Sequence, residues 1–162
     1  MNIDILRKYI LKNEGFENSV YDCSSGIQTI GVGFNLEKSG AENQISALGL
    51  DYNSVISGKT SLTEEQVFQL MEDDLQIAIA DAKSIVKNSS YLSNERQIVL
   101  IDMSFNHGKT RLAQFVKMIA AVNANDFNKA ANEMADSTWA KQVKGRAVRN
   151  ILCMRSNILQ NV

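Results

Sequence analysis

The sequence predicts a mostly helical α+β fold in two lobes: a small β-sheet lobe, a long connecting helix and a helical C-terminal lobe. Three observations predict it. Residues 18–35 combine Val20, Tyr21, Ile27, Thr29, Ile30, Val32 and Phe34 with Gly26, Gly31 and Gly33, which reads as a small sheet rather than a helix. From Thr60 onward the apolar period changes to that of a helix. The chain contains no proline, so nothing interrupts the helices that follow. Its 162 residues fit a single domain, with 14–60 as the β-containing lobe and 1–13 plus 61–162 as the helical lobe.

Ile3, Ile5, Leu6, Tyr9, Ile10 and Leu11 predict a first helix, ended by Asn13 to Gly15. The glycines of the β segment strip side chains from the strand, as a bulge or the close approach of another backbone or ligand requires. Lys38-Ser39-Gly40 breaks that pattern before a short helix at 41–49. Ser61 with Glu64 reads as a capping box. Behind it Val67, Leu70, Met71, Leu75, Ala78, Ile79, Ala82, Ile85 and Val86 form one stripe of a helix about 25 residues long. Further helices are predicted at 93–106, 110–123, 126–136 and 144–158, with Asn88 to Leu92, His107 to Lys109 and Asn123 to Asp126 as breaks. The first helix is expected to pack back on the C-terminal helices, leaving a cleft between the lobes.

With 44% hydrophobic and 22% charged residues the chain has the composition of an ordinary globular protein, which excludes disorder and collagen-like structure. No apolar run approaches the roughly 20 residues of a spanning helix, and Met1-Asn2-Ile3-Asp4 starts no signal peptide. The expectation is a product made in the cytoplasm, with no direct membrane insertion. Cys23 and Cys153 are too few for a disulfide scaffold or a zinc site. The net charge of −1 conceals −2 over residues 1–60, −4 over 61–100 and +5 over 101–162. A basic C-terminal third suits an anionic polymer, although a solvated helix face accounts for it more simply.

Glu14 stands at the C-terminus of the first helix, with Gly15 where a left-handed cap is favoured. Carbonyl dipoles at that end favour the protonated carboxyl, the form a general acid needs. Downstream, Tyr21-Asp22-Cys23-Ser24-Ser25-Gly26 leads into Thr29-Ile30-Gly31-Val32-Gly33. Glu14, then Cys23 nine residues later, then Thr29 six residues after that in a T-I-G-x-G strand, resembles the active-site stretch of the phage-type lysozymes, the muramidases used as endolysins. In that family the position of Cys23 holds Asp or, in many members, Cys. Phe105-Asn106-His107-Gly108 is similar to the family's F-N-x-G helix terminus, and Trp139 followed by Arg146 matches its W-x6-R spacing. The resemblance covers nearly the whole chain and is weakest between 35 and 60.

The resemblance implies hydrolysis of the β-1,4 bond between N-acetylmuramic acid and N-acetylglucosamine in peptidoglycan. Glu14 is then the acid for the leaving oxygen. The family is described as inverting, so a second group activates a water that Thr29 holds, with the catalytic groups roughly 6.5 to 9.5 Å apart. Arg146 matches an arginine that pairs with the acid and lowers its pKa, against the helix-end effect. Phe34, Phe105 and Asn106 are the substrate-binding candidates. The resemblance further implies no cofactor, a monomer, no nucleic-acid partner, and release from the host cytoplasm to the wall through a holin.

The second catalytic group is open among three readings. A thiol titrates near 8.5 and is mostly neutral at pH 7 unless a cation or dipole stabilises its thiolate. Cys23 acts as thiolate base or nucleophile; or Asp22 supplies the carboxylate after a one-residue bulge, since a regular strand points it to the opposite face; or Cys23 is inert. Two rivals follow: a lytic transglycosylase, which works with a single Glu, and a peptidoglycan-binding module without catalysis. Trp139 reads as a packing aromatic and His107 as a helix-end histidine, with no metal partners at ligand spacing. Met71, Met103, Met118, Met134 and Met154 read as core filling.

Overall fold

The computed structural model describes residues 1–23, 26–87 and 89–159. Ser24 and Ser25 of the central motif, and Asn88 at the start of an expected break, lie outside the described residues. Helix α1 (Ile3–Glu14) is followed by β1 (Glu17–Asp22), β2 (Gln28–Gly31) and β3 (Phe34–Asn35). These three pair antiparallel in the order β1-β2-β3. Then come α2 (Ala41–Ala47), α3 (Tyr52–Ile56), α4 (Glu64–Ile85), a 3₁₀ turn at Ser89–Tyr91, α5 (Asn94–Ala113), α6 (Val116–Asn123), α7 (Phe127–Ala135), α8 (Thr138–Val143) and α9 (Gly145–Ser156).

The residues fall into two compact units, 14–73 and 1–13 with 74 onward. The boundary lies inside α4, so the β-containing unit takes in the first turns of that helix. Its core is Ile30, Phe34, Leu36, Ala41, Ile45, Val55, Leu62, Val67, Phe68 and Met71, all buried. In the helical unit α7 and α8 pack on α9, as does α5, and α6 packs on α7. Its core gathers Leu6, Tyr9 and Ile10 of α1, the apolar run Ile98 to Ile101 of α5, and Met103, Met118, Met134 and Met154. All five methionines expected in the core are buried.

Gly31 is required on two counts. Its φ of +63° lies in the left-handed region, and a Cβ there would meet Val67 Cγ1 at 3.3 Å. The backbone therefore lies close enough for β2 to lodge against the start of α4.

The start of α4 departs from expectation. Its capping box is Thr63 with Gln66: the Thr63 N–H donates to Gln66 Oε1 at 2.9 Å and the Gln66 N–H to Thr63 Oγ1 at 3.2 Å. Ser61 is instead drawn to β1, its hydroxyl 2.8 Å from that of Ser19, while the Leu62 N–H donates to the Asn18 carbonyl. The expected helix at 110–123 is also divided. Helix α5 continues past Gly108, whose φ of 74° and ψ of 165° mark a kink, and ends at Ala113. There the N–H groups of Gln114 and Phe115 turn back to Arg111 and Leu112. The Phe115 ring packs edge-on to Trp139, with centroids 6.1 Å apart, and α6 restarts behind it. Two short helices lack a periodic signal: α3, capped by Asp51, and α8, capped by Ser137.

Candidate active site

Glu14 is the last residue of α1, and Gly15 takes the left-handed cap at φ +76°. Glu14 is exposed. Together with Gly15, Phe16, Glu17, Tyr21, Gly31, Val32 and Gly33 it lines a cavity of about 480 Å³ within the β-containing unit. Glycines at 15, 31 and 33 keep much of that wall to bare backbone, which admits a ligand closely.

Cys23 directly follows β1 and is half-buried. Its N–H donates to the Ile27 carbonyl at 3.0 Å, and its own carbonyl accepts from the Gly26 N–H at 2.8 Å. Thr29, 4% exposed, donates its hydroxyl to the same Ile27 carbonyl at 2.9 Å. One oxygen thus ties the two residues together. With its proton committed to Ile27, the Thr29 hydroxyl retains acceptor capacity.

The ladder fixes which side chains share a face. Tyr21 opposes Thr29 and Asp22 opposes Gln28. Directly opposed residues project to one side, so Tyr21 and Thr29 share one face and Asp22 and Gln28 the other. The irregularity in the register lies upstream, between Glu17 and Tyr21. Tyr21 belongs to both groups of candidates, since it lines the cavity with Glu14 and sits on the face of Thr29. Burial, followed by the neighbouring Cys23 and Glu17, pushes its phenol pKa up.

Arg146 sits in the helical unit, 4% exposed, in a network centred on the fully buried Asp102. Its Nε donates to Asp102 Oδ2 and its Nη2 to Asp102 Oδ1, both at 2.9 Å, and Nη2 also reaches the Asp102 carbonyl at 3.1 Å. Asn150 Nδ2 donates to Oδ2 at 2.7 Å and Asn13 Nδ2 to Oδ1 at 2.9 Å. The Tyr9 hydroxyl donates to Asn150 Oδ1 at 2.8 Å, and Arg149 Nε to Asn13 Oδ1 at 2.7 Å. Burial, then the charge of Asp102, holds the Tyr9 phenol pKa well above its ordinary 10.0. Removing either partner of the pair leaves a buried charge, at a cost of about 3–5 kcal/mol. None of Asp102, Asn13, Asn150 and Tyr9 stands out as a site residue from the sequence alone. The available signal is Asp102 itself, a carboxylate inside the apolar run Ile98-Val99-Leu100-Ile101-Asp102-Met103, which burial obliges to find a cation.

The other candidates sit on β3 and α5. Phe34 is 8% exposed, with Lys38 Nζ 4.0 Å over its ring. Phe105 and Asn106 are half-buried on α5, and Asn106 Oδ1 accepts from Trp139 Nε1 at 3.3 Å. Trp139 is buried as a packing aromatic, and the His107 ring packs against it and Phe115, with centroids 6.0 and 6.4 Å away. Among the described residues no three His, Cys, Asp or Glu side chains converge as a metal requires, and no helix is long and apolar enough to cross a membrane.

A family profile described as phage lysozyme matches residues 11–157. The chain belongs to the phage lysozyme family. The chain is 31% identical to the pre-baseplate central spike protein Gp5 of Enterobacteria phage T4, over 96% of its own length and 28% of that protein's. It is 25% identical to probable T4-type lysozyme 2 of Dictyostelium discoideum, over 98% of both. To the peptidoglycan hydrolase gp36 of Enterobacteria phage SP6 it is 27% identical, over 87% of this chain and 16% of that one. This phage lysozyme family chain thus spans a minor part of the two phage relatives and nearly all of the Dictyostelium protein. Its mostly helical build with a small antiparallel sheet is that of the family.

Proposed function

We propose that the chain hydrolyses the β-1,4 bond between N-acetylmuramic acid and N-acetylglucosamine in peptidoglycan, with Glu14 as acid, Cys23 as base and Thr29 holding the water. The protonated Glu14 carboxyl gives its proton to the leaving glycosidic oxygen as the C–O bond breaks. A water accepted by Thr29 attacks the anomeric carbon from the opposite side and loses its proton to the Cys23 thiolate, so the configuration inverts. Glu14 ends as carboxylate and Cys23 as thiol, and both exchange with solvent before the next turnover.

The observation that carries this reading is the shared Ile27 carbonyl, which holds Cys23 and Thr29 as one unit. The register supports Cys23 over Asp22, since Asp22 is exposed and opposes Gln28 on the face away from Thr29. Arg146 as partner of the acid, and Phe34, Phe105 and Asn106 as sugar contacts, complete the proposal on the strength of the family resemblance. Action as a monomer on the wall, after a holin has opened the membrane, belongs to the same reading. The test is turbidity loss of outer-membrane-permeabilised cells with the parent protein and Glu14→Gln. Clearing by the parent alone is expected, whereas equal inactivity of both would favour a binding module.

A further inference from the structure

We propose that Asp102 is a positioning residue for the acid, acting along α1 through Asn13; the inference rests on the assignment of Glu14 above. Tyr9 and Asn13 stand four residues apart on α1 and therefore share one helix face. Both are tied to the same carboxylate, Asn13 directly and Tyr9 through Asn150. Two attachments one turn apart fix both the rotation of α1 about its axis and its position along it.

Glu14 is the next residue, about 100° round and 1.5 Å along the same helix. Gly15 then leaves the helix at φ +76°, so the helical backbone that carries Glu14 ends on the turn that carries Asn13. Asn13 is held from both sides of its amide, donating to Asp102 at 2.9 Å and accepting from Arg149 at 2.7 Å. Asp102 cannot itself yield, because it is fully buried and takes four side-chain donors, two from Arg146 and one each from Asn13 and Asn150. A carboxylate is the one side chain of this size that accepts on both oxygens, whereas an amide would turn a donor toward one pair of these donors. The network thus fixes the origin from which the acid reaches its substrate. Errors of about 1 Å there cost roughly 10²-fold in rate.

The test uses Asn13→Ala, which keeps the Arg146–Asp102 pair, together with Asp102→Asn, the double variant and Glu14→Gln. Each is checked for native circular dichroism at the assay temperature and assayed on soluble, uncross-linked peptidoglycan fragments across pH. Asn13→Ala is expected to lower kcat about tenfold, keep KM within about twofold and displace the pH profile of kcat. If the two residues act in series, the double variant is no more than about twofold slower than Asp102→Asn alone. A folded Asn13→Ala with the parent kcat and pH profile, or losses that multiply in the double variant, would overturn the inference while a dead Glu14→Gln leaves the acid standing. Hydrolysis surviving in Glu14→Gln would overturn both.

Discussion

Asp22 and Cys23 are adjacent in the chain, yet they meet different surroundings. Asp22 opposes Gln28 and faces solvent, whereas Cys23 shares the Ile27 carbonyl with Thr29. On this geometry Cys23→Asp keeps hydrolytic activity, because a carboxylate at that position is ionised at neutral pH. Cys23→Ser loses about 10²-fold or more, the usual contribution of a general base. Asp22→Asn stays near the parent rate. Initial rates on purified peptidoglycan check all three, and a full-rate Cys23→Ser beside a dead Asp22→Asn would reverse the assignment. The second thiol does not confuse a chemical version of the test. Cys153 is fully buried, its Sγ 3.7 Å from the Glu95 carbonyl, and burial followed by Glu95 pushes its pKa up from 9.0 to about 12. Iodoacetamide on the native protein should therefore add one group, at Cys23, with loss of activity, and a second only after unfolding.

At the scale of elements, the junction where β2 meets the start of α4 depends on two small residues. Gly31→Ala forces a left-handed φ on an alanine and a contact with Val67, and is expected to cost about 1–3 kcal/mol in urea unfolding. Thr63→Ala opens the capping box and costs about 1 kcal/mol, whereas Ser61→Ala should cost less. An equal or larger loss at Ser61 would return the cap to where the sequence alone suggests it. Long elements were legible because period carries them: of the nine stripe positions from Val67 to Val86, all but Leu70 and Ile85 are buried. The divided helix at Gln114 and Phe115 was not legible, since its cause is the meeting of Phe115 with Trp139, a contact between elements. Helices α3 and α8, of five and six residues, are too short to show a period. The same reasoning separates the two parts of the site. Glu14, Cys23 and Thr29 stand within sixteen residues of sequence and are readable from spacing. Asp102 finds its partners 44, 48 and 89 residues away, which no local pattern encodes.

For the whole molecule, two buried groups make stability fall in alkali. The folded chain holds the Cys153 thiol proton up to about pH 12 and the Tyr9 phenol proton well above 10.0, while the unfolded chain releases them near 9.0 and 10.0. Above pH 9 the unfolded state therefore binds fewer protons, and unfolding becomes easier as pH rises. The Cys153 contribution is complete below that pH and is lost progressively toward 12, and the Tyr9 contribution begins to fall only near 10.0. The urea midpoint should drop between pH 8 and 10.5, and Cys153→Ala should flatten part of the drop; a midpoint that rises would contradict the burial of these groups.

The central claim is that an acid at the end of α1 and a water beside Cys23 and Thr29 cleave the glycan by hydrolysis. Mass spectrometry of digested peptidoglycan tests it most directly. The account predicts fragments ending in reducing N-acetylmuramic acid, abolished in Glu14→Gln; 1,6-anhydro ends, formed without water, would contradict it.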